Sequence, residues 1–120
     1  MSLRRLIVAT LVGLTVFGSA AFAQERVSIA IQARKVEPVQ KTIRVTQGQT
    51  VELAFSTDET VELHLHGYDQ SLTAQPGAPA VMRVQTKTAG RFALEAHRFG
   101  NDGGRSQRHV VLLYLEVHPR

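Results

Sequence analysis

The chain has 120 residues, no cysteine, no tryptophan, five histidines and a formal charge of +4. Without cysteine there are no disulfides, no thiolate metal ligands and no cysteine nucleophile. Arg4 and Arg5 carry part of the charge: without them the 14 basic residues become 12 against 10 acidic ones, and with only two tyrosines there is no aromatic and basic platform for nucleic acid.

Arg4 and Arg5 head a short apolar run from Leu6 to Phe17, and Ala21-Phe22-Ala23 supplies small residues before Gln24. That pattern is expected to be a signal peptide over residues 1–23, cleaved on export. The run is short for a spanning helix, which needs roughly 20 apolar residues, so no membrane span is expected after cleavage. Residues 24–120 then form one small domain, periplasmic or secreted.

Past Gln24, apolar residues recur with period two, the spacing of half-buried strands. Val27, Ile29 and Ile31 share one face of a first strand; Ile43 and Val45 share one face of a second, after Pro38. Gln47-Gly48-Gln49 is read as a turn, Thr50 to Phe55 as a strand and Ser56 to Glu59 as a polar turn. In Val61 to His66, Val61, Leu63 and Leu65 lie on one face and Glu62, His64 and His66 on the other. Tyr68 to Gln75 is read as a connection closed by Pro76-Gly77. Ala80 to Gln85 and Arg91 to His97 are strands, the latter with Phe92, Leu94 and Ala96 inward. Arg98 to Arg108 is a glycine-rich loop. Val110 to Leu115 is apolar on both faces, as in a central, covered strand. No stretch of useful length shows helical spacing. Seven or eight short strands imply an all-β, antiparallel or mixed sandwich.

Residues i and i+2 of a strand project from one face, so His64 and His66 can share a metal. His97 is the preferred third imidazole, because it ends a strand and enters the loop; His109, which leaves that loop, is next. Three histidines suit zinc or copper. Against this stands the plainer interpretation of a solvated pair on an outward face. Glu62 and Glu95 are candidates to orient a ligand imidazole from behind, or simply outward residues that keep the face soluble. Asp69 is expected to serve the turn, Tyr68 to pack or form a rim, and His118 to be a surface residue. A bulge near Gly67 would aim His66 toward the sandwich end. No nucleophile elbow, phosphate loop or paired carboxylates point to an enzyme; a small zinc hydrolase ranks last.

The order of these features resembles the cupredoxins. The resemblance rests on Gly48 at an early turn, His64-Leu65-His66-Gly67-Tyr68-Asp69 on a middle strand, Pro76-Gly77, Ala89-Gly90-Arg91-Phe92 before a penultimate strand, and Leu115-Glu116-Val117-His118-Pro119 at the end. It is strongest to small exported cupredoxin-like domains with a His-Leu-His-Gly-Tyr-Asp stretch. It implies a Greek-key β-sandwich, with His64 at the position of the first copper ligand and Ala96 at that of the ligand cysteine. With no thiolate, a type 1 copper centre is excluded. The expectation is therefore a non-enzymatic, exported protein that binds Cu(II) or Zn(II) through His64, His66 and His97. His109, Glu95 and Glu62 are additional ligands or supports, and the purpose is metal buffering or delivery. The alternative is a metal-free interaction module that meets another envelope protein.

Overall fold

The computed structural model describes Gly18 and residues 24–100 and 109–120. The expected leader and most of the glycine-rich loop lie outside the described residues. The elements are β1 (Gln24–Ile31), a 3-10 turn (Pro38–Gln40), β2 (Thr42–Thr46), β3 (Thr50–Thr57), β4 (Val61–Leu65), β5 (Gln70–Ala74), β6 (Ala80–Gln85), β7 (Gly90–Phe99) and β8 (Val110–His118).

They form two sheets, one ordered β1-β3-β6 and the other β2-β8-β7-β4-β5. Consecutive strands cross from sheet to sheet at most connections, as in a Greek-key sandwich. Pairing is mixed: β1 with β3 and β2 with β8 are parallel, and the other pairs are antiparallel. Inward residues of both sheets merge into one core, including Ile29, Ile31, Val51, Leu53 and Phe55 from one side and Leu63, Leu65, Leu94, Leu113 and Leu115 from the other. Each such large side chain contributes about 1.5–3 kcal/mol by leaving water.

Four local expectations are corrected. Ser56 and Thr57 are strand rather than turn, because β3 continues alongside Ala30 and Ile31 of β1. The supposed connection after Tyr68 contains β5, whose backbone pairs with the whole of β4 although few of its side chains are apolar. His97 does not end its strand, which runs to Phe99. Finally, β8 is central in its sheet but not covered on both faces. Leu94 pairs with Leu113 and Glu95 with Val111, so Leu112 is an extra residue in a bulge. The bulge turns both Leu112 and Leu113 inward and leaves Val110 and Val111 exposed.

Candidate metal centre

The centre lies on the outward face of the five-stranded sheet, across β4 and β7. Burial of Val61, Leu63 and Leu65 fixes the phase of β4, since a one-residue slip would put three apolar side chains in water. His64 is thereby forced outward. His66 lies one residue past the strand, but its backbone N–H still donates to the Ala93 carbonyl at 2.9 Å. The ladder therefore extends far enough to keep His66 on the same face.

The hairpin turns sharply after His66. Gly67 has φ +84° and Asp69 φ +51°, both left-handed, a conformation that glycine and aspartate tolerate best. A Cβ on Gly67 would run into the Phe92 ring. Tyr68 packs edge-on against Phe92, with centroids 4.8 Å apart, and its hydroxyl donates to the Thr88 carbonyl at 2.8 Å. Tyr68 is thus an anchor of the hairpin.

On β7, Leu94 and Ala96 are buried, so Glu95 and His97 face outward. Glu95 pairs directly with His64. One register step on, Leu63 pairs with Ala96 but Glu62 pairs with Arg98, leaving His97 as the extra residue of a bulge. The bulge lies on β7 and not at Gly67. It lets His97 and Arg98 both face away from the core and returns Phe99 to the interior. The period-two pattern slips by one between Ala96 and Phe99, which is the sequence signal for this bulge.

His64, His66 and His97 each bring one ring nitrogen to within 4.8 Å of the others'. Ring centroids are 4.4 Å apart for His64–His66, 5.1 Å for His64–His97 and 6.0 Å for His66–His97. A cation holding nitrogens at about 2.0–2.1 Å would draw them in by roughly an ångström, which side-chain torsions supply. The side chains are 20%, 44% and 26% exposed, respectively.

Glu95 is more than a solubilising residue. Its Oε2 lies 2.9 Å from His66 Nε2, 3.3 Å from His109 Nδ1 and 3.6 Å from His97 Nε2. His66 Nε2, His97 Nε2, His64 Nδ1 and Glu95 Oε2 are all shielded from solvent without a hydrogen-bond partner. All four atoms are of metal-ligating type.

Electrostatics favour the ligating forms of His97 and Glu95. Burial lowers the His97 pKa below the ordinary imidazole value, and His109 and His64 push it further down, against weaker opposition from Glu95 and Glu62. Burial acts to raise the Glu95 pKa, but His66 and His109 outweigh it and hold the carboxyl below its usual range. At neutral pH the cluster therefore offers a neutral His97 and an anionic Glu95.

His109 stacks on His97, centroids 4.3 Å apart and planes within 18°, so it packs against the cluster. Glu62 is half-buried beside His97. Asp69 is exposed in the turn, 3.8 Å from His64 Nε2. His118 lies apart on the surface, 3.6 Å from Glu116. Ala96 is fully buried on the core face, opposite to His64. A thiolate at 96 and an imidazole at 64 would point to opposite sides of the sheet, whereas His97 shares the face of His64 and brings a ring nitrogen within 4.8 Å of it. Met82 is buried in the core and supplies no thioether.

No protein-family model matches the chain, and no curated protein sequence matches it. Solved structures do. A chain of a heme-copper terminal oxidase dimer aligns with TM-score 0.60 and 18% identity, covering 78% of this chain and 65% of that one. A copper-binding protein in its apo form aligns with TM-score 0.57 and 10% identity, over 78% and 86%. The periplasmic domain of subunit II of cytochrome oxidase (CoxB) from Bradyrhizobium japonicum aligns with TM-score 0.60 and 9% identity, over 78% and 83%. The fold is a cupredoxin-like β-sandwich. At these identities the likeness establishes the cupredoxin-like architecture alone.

Proposed function

We propose that this chain is an exported, cupredoxin-like metal-binding protein that holds Cu(II) or Zn(II) through His64, His66 and His97. The observation that carries the proposal is the approach of three imidazole nitrogens within 4.8 Å on one sheet face. The chemistry follows from the donor set. Imidazole with a neighbouring carboxylate suits Cu(II) and Zn(II), whereas Cu(I) prefers the sulfur ligands that are absent here. Such a centre buffers or delivers the ion and performs neither type 1 electron transfer nor turnover of a substrate. Export is supported by the leader pattern of residues 1–23, and a periplasmic setting agrees with one structural neighbour.

Calorimetric titration of the purified chain with each ion tests this. The expected outcome is a tight site that disappears when His64→Ala and His66→Ala are combined. A double variant that binds both ions as tightly as the parent would sink the proposal. A second function is favoured by Val110 and Val111, exposed beside the cluster: a metal-free contact surface for another envelope protein. It predicts no heat from either ion.

A further inference from the structure

His97 belongs to two donor sets at once. One is His64, His66 and His97; the other is Glu95, His97 and His109, whose donor atoms also lie within 4.8 Å of one another. The two differ chiefly in their most open imidazole, His109 in one and the 44% exposed His66 in the other, while Glu95 is only 18% exposed. His109 is 59% exposed and stacks over His97 from the outside, while His64 is the least exposed of the imidazoles in the cluster, at 20%. Glu95 joins the sets, since the same Oε2 lies 3.3 Å from His109 and 2.9 Å from His66. His109 is also the first described residue after the glycine-rich stretch, at the rim of the sheet.

We propose that Glu95, His97 and His109 form a receiving position for a divalent cation, which then passes to His64 and His66 while His97 stays bound. This rests on the metal-binding function proposed above. Its physical basis is ligand exchange. An ion held by a small chelator leaves it readily only when an incoming donor attaches before the old one departs. An exposed imidazole beside a carboxylate offers that first attachment. Retaining His97 makes the second step intramolecular, with neighbouring donors at high effective concentration. The exchange balances without redox chemistry. The ion keeps its charge of two, His64 and His66 enter as neutral lone-pair donors, and the Glu95 carboxylate and neutral His109 imidazole leave. The carboxylate also supplies the negative charge that draws a cation to the position before any imidazole engages.

The test is stopped-flow transfer of Cu(II) from its nitrilotriacetate complex to the purified chain, for the parent, His109→Ala and the double variant His64→Ala with His66→Ala. The expected result for His109→Ala is transfer slowed by about tenfold or more, with the copper stoichiometry and the final electron paramagnetic resonance spectrum of the parent. The double variant should still accept Cu(II) rapidly but weakly, with fewer nitrogen ligands in its spectrum. His109 is exposed, so its replacement leaves the core intact, and an unchanged melting temperature checks this. Parent-like transfer by His109→Ala overturns the receiving role. A changed final spectrum in His109→Ala overturns it too, by making His109 a resident ligand. If the parent takes up no Cu(II) at all, the metal-binding function itself fails, and the relay with it.

Discussion

His97 and Glu95 set the behaviour of the cluster with pH. His97 has its pKa lowered in the fold, first by burial. Below the unfolded imidazole value of about 6.5, the unfolded chain takes up that proton before the folded one does, so acidification favours unfolding. Glu95 is also lowered, which makes its stabilisation present above its unfolded value and lost as pH falls through the folded one. Both effects run the same way, the first below about pH 6.5 and the second in the carboxylate range. The melting temperature of the metal-free chain should fall between pH 7.5 and 4; a flat or rising profile would contradict this account. Glu95 opposes the lowering of His97, so Glu95→Gln should move the His97 titration to still lower pH. Histidine resonances followed against pH will show it. Neutral imidazole is the ligating form, so metal affinity should decline with the same acidification.

At the scale of elements, the site depends on the phase of β4 and the shape of its hairpin. Leu63 is fully buried and pairs with Ala96 next to the bulge. Leu63→Ala should cost about 2–5 kcal/mol in chemical denaturation, without removing any donor atom. Gly67→Ala adds a side chain at a left-handed position, against the Phe92 ring. It should destabilise by about 1–3 kcal/mol, and it should also weaken metal binding, because the displaced hairpin carries His66. A Gly67→Ala chain with parent stability would show that the hairpin geometry is looser than described. The strands that carry the centre were legible from alternation alone, since Val61, Leu63 and Leu65 leave only one face for His64. β5 was not, because an edge strand is held by backbone pairing and needs few apolar side chains. The bulge at His97 was half legible: Ala96 and Phe99 are both inward but three residues apart, which strict alternation forbids. Glu95 was undervalued for a related reason. Outward glutamates usually serve solvation, and only the pairing of β4 with β7 puts this one opposite His64.

At the scale of the whole molecule, the sandwich separates core from chemistry. One face of the five-stranded sheet supplies the apolar core, and the other carries the imidazoles. The resemblance to cupredoxins, drawn from the order of turns and strands, agreed with the architecture, because turn chemistry and strand spacing specify topology. For the site it placed His64 at the first copper ligand, and His64 stands in the histidine cluster, but it placed Ala96 at the cysteine. Ala96 and His64 lie on opposite faces, so the arrangement of a type 1 centre does not transfer even in outline. What replaces it is a surface cluster of histidines around one carboxylate, built from residues two apart on adjacent strands. His118, outside that cluster, is the internal control: His118→Ala should leave metal affinity unchanged, while His66→Ala should lower it by about tenfold to hundredfold or more, both measured by calorimetry.

The central claim is that His64, His66 and His97 bind one divalent cation together. Zinc titration followed through the histidine ring resonances tests it most directly. The account predicts that signals of these three change in concert and saturate together, while His118 stays still. A titration in which His64, His66 and His97 remain unmoved, or all five histidines drift alike without saturation, would contradict it.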